Sequence, residues 1–267
     1  MPDAPFETAV DAVVDGDVET LTNLLRANPD LVRARSSREH RATLLHYVGA
    51  NGVEDERQRT PKNAVEVARV LLDAGADIHS MADMYGGSDT FGLVATSIHP
   101  IVAGVQEPLM EFLLSRGATF DVRTINACLA NGRGKSAQWL AARLGDDALD
   151  LEAAAGVGRL DLMRKLFAHA TDAQKLSGLA WACEYGHTDV AAFLVDHGVP
   201  VGARVPPHGG TGLHWAAYEG HLDTVNALLS RGAPLDVKDK TFDGTPLDWA
   251  LHGGHEDVAA ALRRHQA

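Results

Sequence analysis

Residues 177–201 (SGLAWACEYGHTDVAAFLVDHGVPV), 211–235 (TGLHWAAYEGHLDTVNALLSRGAPL) and 245–265 (TPLDWALHGGHEDVAAALRRH) are copies of one pattern. Leu179, Leu213 and Leu247 recur at intervals of 34 residues, and Trp181, Trp215 and Trp249 keep the same register, as do Gly186, Gly220 and Gly254. A period of this length marks a stack of supersecondary units rather than one globular core. Each copy reads as two short helices. Paired small residues such as Ala216 and Ala217 let neighbouring first helices approach closely, and a Gly ends the helix where left-handed geometry is favoured. The second helix is apolar at Val225, Leu228 and Leu229, the i, i+3, i+4 spacing of one buried stripe, and it ends at Gly232. A polar turn segment, residues 238–243, then leads to Gly244. One such unit cannot bury its apolar face alone, so stacking has to supply the partner surface.

The residues TGLH at 211–214, DGTPL at 243–247 and GADI at 75–78 resemble the ankyrin repeat. LLHYVGANGVE (44–54) and TPKNAVEVARVLLDAGAD (60–77) give the chain the look of stand-alone bacterial members of that family. The resemblance implies an all-α repeat fold: a solenoid of about eight helix-turn-helix units, each with a projecting β-turn finger. Extended along the chain, it gives approximate units at 6–35, 36–78, 79–118, 119–146, 147–172, 173–201, 202–235 and 236–267, read as one domain over 1–267. The motifs are clear in about half of these. Residues 79–118 and 119–146 are the weakest copies, and the first and last units are expected to be caps.

Departures from the period locate extra chain. The second unit is eleven residues longer than the regular copies between its motif Leu and closing Gly, which places an insertion at 53–63. The third unit carries about five extra residues around His99, Pro100 and Gly104, and the finger before it, 79–92, is also long. The fourth and fifth units are short, so their fingers reduce to tight turns, and a notch is expected in the finger row. Insertions in solenoids go to surface loops and are often functional, although a long loop is also cheap to tolerate.

In the ankyrin family the first helix and the finger line the concave face. Reading the corresponding columns gives a candidate binding set: Tyr47, Asn51, His99, Asn131, Trp181, Tyr185, His208, Trp215, Tyr218, Trp249 and His252. Three Trp in one column are more than a repeat core needs, and with aromatics at only 6% of the chain their concentration carries weight. The bland alternative is that each indole packs on its neighbour and on a finger. His46 and His214 occupy the motif position that ties adjacent turns together, and His187, His221 and His255 follow the Gly before the second helix, so all five read as structural. His99, His252, Glu184, Asp248 and Tyr85 are the candidate proton-transfer groups, although spacing cannot show that they converge. No nucleophile elbow, phosphate loop, dinucleotide fingerprint or metal-ligand spacing is present, so no cofactor and no metal are expected.

A net charge of −12 argues against a nucleic-acid or anionic-lipid partner. Cys128 and Cys183 fall at small-residue positions of helices and read as reduced core thiols. The first residues carry Asp3 and Glu7 and no basic-then-apolar signal. The expectation is a cytoplasmic monomer that binds a protein partner through its concave face. The alternative is a cofactor-independent lyase, isomerase or cyclase, or a small-molecule binder, with a Trp/His/Tyr-lined pocket on the same face.

Overall fold

The computed structural model describes residues 4–49, 54, 57–205 and 208–266. It divides into two compact units, Met1–Asn131 and Gly132–Ala267, with the boundary inside the fourth sequence repeat.

The first unit contains α1 (Ala4–Asp15), α2 (Val18–Ala27), a 3₁₀ turn at His46–Gly49, α3 (Ala64–Asp73), α4 (Thr90–Thr96), α5 (His99–Val102), α6 (Gln106–Ser115) and α7 (Val122–Ala130). Helix α1, the 3₁₀ turn, α4 and α7 pack successively in one layer, and α2, α3 and α6 form a second layer behind it. The first helix expected in the second repeat is thus a 3₁₀ turn across the described residues. Its entry is still fixed as the motif requires. His46 Nδ1 accepts the Thr43 N–H at 3.1 Å, so its Nε2 donates to the Ser80 carbonyl at 2.9 Å. Gly49 lies so close to the next helix that a Cβ there would sit 3.0 Å from that of Leu93. The five extra residues of the third repeat form α5, a single turn with Pro in its first turn, where a missing N–H costs nothing. The long 79–92 finger closes through an antiparallel bridge between Ala82 and Ser88.

The 53–63 insertion is tied down wherever it is described. Glu54 accepts from Tyr47 Oη at 2.5 Å and from His40 Nε2 at 2.9 Å. Arg57 pairs with Glu7 at 2.6 Å and with Asp11 at 2.9 Å, Arg59 pairs with Asp15, and Asn63 Nδ2 donates to the Gly16 carbonyl at 2.9 Å. The described residues of the insertion therefore form a strap across α1 and its following turn.

The second unit contains α8 (Gly134–Leu144), α9 (Leu151–Gly156), α10 (Leu160–Leu166), α11 (Asp172–Glu184), α12 (Thr188–Asp196), β1 (Arg204–Val205), β2 (Gly210–Thr211), α13 (Gly212–Tyr218), α14 (Leu222–Leu229), α15 (Pro246–Gly253) and α16 (Glu256–Gln266). First helices α9, α11, α13 and α15 pack in one layer, and second helices α10, α12, α14 and α16 in another. The motif Leu179 and Leu213 are buried, as are Ala182, Cys183, Ala216, Ala217 and Ala250. Asp150, Thr171 and Thr245 cap α9, α11 and α15 by accepting backbone N–H groups through their side chains. Strands β1 and β2 pair antiparallel, Arg204 with Thr211 and Val205 with Gly210, and form the finger of the regular repeat.

The repeat histidines join one copy to the next. His187 Nε2 donates to the Gly156 carbonyl at 3.0 Å and His221 Nε2 to the Glu184 carbonyl at 2.9 Å. Gly186 has φ +70, and a Cβ there would lie 2.6 Å from His221 Nδ1, so both conformation and space demand glycine. Burial lowers the pKa of His46, His187 and His214, which keeps these inter-repeat rings neutral. Cys128 and Cys183 are buried thiols that form no disulfide, and burial raises the Cys183 pKa.

Candidate functional site

The period stacks the last two first helices of the second unit side by side and brings their Trp residues together. Trp215 on α13 meets Trp249 on α15 edge-on, with ring centroids 5.2 Å apart and planes at 82°. Tyr218, one turn along α13, meets Trp249 at 5.9 Å, and His252, one turn along α15, stacks on Tyr218 at 6.1 Å. From the finger side, His208 approaches Trp215 at 6.0 Å and Phe242 at 5.4 Å. These groups line an open-mouthed cavity of about 650 Å³. Its helix wall is Trp215, Tyr218, Trp249 and His252, its finger wall is His208 and Phe242, and Asp243, Gly244 and Asp248 complete the lining.

Trp249 is the floor, only 8% exposed. Its Nε1 donates at 2.9 Å to Oδ2 of Asp239, a carboxylate that is 4% exposed. Asp239 also accepts the backbone N–H groups of Thr241 at 2.8 Å, Phe242 at 2.7 Å and Gly244 at 2.9 Å. Burial alone would push its pKa up. The Phe242 amide, the Trp249 indole and the two other amides outweigh that and hold it at about 2. One side chain thus folds the finger tip and fastens it to the floor. Phe242, 68% exposed, and Tyr218, 37% exposed, stand at the lip.

Asp248 replaces the motif His and keeps its capping half. Oδ2 accepts from Thr245 N at 2.8 Å and Thr245 Oγ1 at 2.7 Å. Those bonds lower its pKa, so it faces the cavity as a carboxylate. In α13 the same position holds His214, whose Nδ1 accepts from Thr211 N at 2.9 Å and whose Nε2 donates to the Gly244 carbonyl at 3.2 Å.

Six of the sequence candidates therefore meet: His208, Trp215, Tyr218, Asp248, Trp249 and His252. The third Trp of the column does not join them by ring contact. Trp181 stacks on Tyr185 of its own helix, at 6.4 Å and 25°. Glu184, next to Tyr185 in sequence, is a candidate acid with a raised pKa; burial, with a smaller push from Glu219, lifts it to about 7. It does not line the cavity. The remaining candidates belong to the first unit. Tyr47 is 8% exposed and packs its ring against Phe6 and His40, which makes it part of the strap's anchorage and not an open binding surface. Burial, then the bond to Glu54, raises its pKa. Tyr85 sits at the tip of the 79–92 finger, 78% exposed and at φ +50. His99 opens α5, and Asn131 caps the end of α7, with Nδ2 on the Ala127 carbonyl at 2.8 Å. Asn51 lies outside the described residues.

Phe242 and Asp239 were not among the sequence candidates. Both lie in the polar turn between repeats, where an exposed Phe among Lys, Asp and Thr was the available signal. Asp239 gave none, since its value depends on the path of the turn.

No helix among the described residues is long and apolar enough to cross a membrane. Residues 151–239 match the family model described as ankyrin repeats (3 copies), which covers about a third of the chain and includes His208, Trp215 and Tyr218 of the cavity. None of the curated proteins compared with the chain matches it.

Proposed function

We propose that this chain, an ankyrin-repeat protein, recognises a protein partner through the finger and first-helix face of its second unit, with the Trp215–Trp249 cavity as the anchor pocket. Ankyrin repeats are in general protein–protein interaction modules. The observation that carries the reading to this face is the aromatic cavity itself, whose floor and finger wall are tied together by the chain's own hydrogen bonds through Asp239. An aromatic pocket held by a carboxylate-bolted floor loses little freedom on binding, so more of the interaction energy remains as affinity.

The acid–base alternative has less support. Two of the carboxylates at the cavity, Asp239 and Asp248, are held in the charged form, and the raised acid Glu184 does not line it. One observation keeps a small ligand in view: about 650 Å³ lies within the roughly 300–1,000 Å³ range of small-molecule sites.

Trp215→Ala is the direct test, because Trp215 is a wall of the cavity whereas Trp249 is its structural floor. The expected result is partner binding weakened about tenfold or more, with the cooperative melt of the chain retained. Recovery of the same partners at unchanged affinity would remove the cavity from the binding surface.

A further inference from the structure

We propose that the cavity takes the guanidinium of an arginine presented by a basic segment of the partner. This rests on the reading of the cavity as a partner anchor and adds the chemistry of what enters.

Three kinds of side chain could fill an aromatic pocket. An acidic one is disfavoured by the lining. Asp243 and Asp248 both reach the cavity, and none of its lining residues is Lys or Arg. The chain as a whole carries −12, which repels an acidic segment before contact and draws in a basic one. A purely apolar side chain would fit the rings and leave both carboxylates facing a surface that offers them no donor. A cation satisfies both parts, since aromatic rings attract it and the carboxylates pair with it.

Among cations, the guanidinium fits better than the ammonium. It is planar, stacks on aromatic faces, is weakly hydrated and spreads several N–H donors in one plane, so that it can address both carboxylates of the rim. Asp248 is already oriented by Thr245, with Oδ2 occupied by the capping bonds. Asp243 is held at φ +56 beside Gly244, and its Oδ2 is paired with Lys238 at 2.6 Å on the exposed side. The finger's own lysine thus already exploits the acidic rim from outside. An arginine entering from solvent would reach the same rim from the cavity side, with Phe242 and Tyr218 flanking its path.

The test uses the full chain and four capped tripeptides, Gly-X-Gly, with X arginine, citrulline, norleucine or glutamate. Binding is followed by tryptophan emission. The arginine peptide should change the emission saturably, with at least tenfold tighter binding than citrulline, its uncharged isostere. Asp243→Asn and Asp248→Asn keep side chains that suit the left-handed turn and the helix cap. Each should weaken the arginine peptide about threefold or more, leave the citrulline peptide unchanged and preserve the melt. Norleucine or glutamate binding as tightly as arginine, or no saturable change with any peptide, would overturn the arginine assignment. Free arginine binding as tightly as the peptide would overturn the assignment to a partner segment in favour of a small solute. Any of these results leaves the Trp215→Ala test of partner recognition standing, and a null result in that test with a positive arginine result would sink the partner reading alone.

Discussion

Asp239→Ala should destabilise the second unit by about 3 kcal/mol and open the finger away from the cavity floor. The carboxylate accepts four N–H groups within 2.7 to 2.9 Å, three from the finger backbone and one from Trp249. Hydrogen bonds to a charged group contribute roughly 1.5–3 kcal/mol each, but the freed amides of the exposed Thr241 and Phe242 can turn to water. The Trp249 indole cannot do so without leaving its buried place, so most of the loss falls there. All four Trp residues, at 139, 181, 215 and 249, lie in the second unit, so thermal melts followed by tryptophan emission read that unit. The pH dependence has a definite sign. The carboxyl's pKa is depressed from 3.8 to about 2, so its stabilisation is fully present above pH 3.8 and is lost as the pH falls through about 2. The gap between wild type and variant should therefore be constant from neutral pH down to about 4 and shrink below it. A gap unchanged at pH 2, or no gap at neutral pH, would show that the carboxylate does not hold the finger.

Glu54→Ala should cost the first unit about 3 kcal/mol, at the lower end of the range for breaking a buried ion pair from one side. The Glu54 side chain is 8% exposed and sits between Arg57 at 3.1 Å, Arg38 at 3.4 Å and His40 at 2.9 Å, with the Tyr47 hydroxyl on the same oxygen as His40. Burial raises its pKa, but Tyr47, His40, Arg38 and Arg57 together bring it below the ordinary value, so the carboxylate is charged and fully used. Alanine would strand two buried donors. It would also leave Arg57, 13% exposed, to Glu7 and Asp11 alone. Loss of amide protection at residues 57–63 and in α1, measured by hydrogen exchange, is the expected signature. Glu54→Gln should cost less, because the amide oxygen still accepts from Tyr47. Equal protection in wild type and Glu54→Ala would mean that the strap is held by other contacts.

The extent to which the sequence could be read follows what a residue's role depends on. The Leu, Gly and His positions were legible because each role repeats with the period: Leu213 fills a core, Gly186 turns a helix end and admits the next ring, and His221 bonds back to the preceding copy. The meeting of Trp215 and Trp249 follows from the same register. Trp181 departs from it, making its ring contact with Tyr185 of its own helix. Tyr47 could be placed in the column but not assigned to the interior, since its ring packs on Phe6 and His40 and its hydroxyl donates to Glu54, in an insertion with no counterpart in the other copies. Asp239 and Phe242 escaped because a turn's hydrogen bonds depend on its path and not on its composition.

If the Trp215–Trp249 cavity is where a partner is held, the four indole N–H groups report on it separately. In a ¹⁵N correlation spectrum of the full chain, Trp139 serves as an internal reference, since its ring lies under the Arg143 guanidinium at 3.4 Å and does not line the cavity. Adding the bound partner should shift or broaden the Trp215 and Trp249 signals and leave that of Trp139 in place. A saturated complex in which Trp215 and Trp249 keep their free positions would contradict the account.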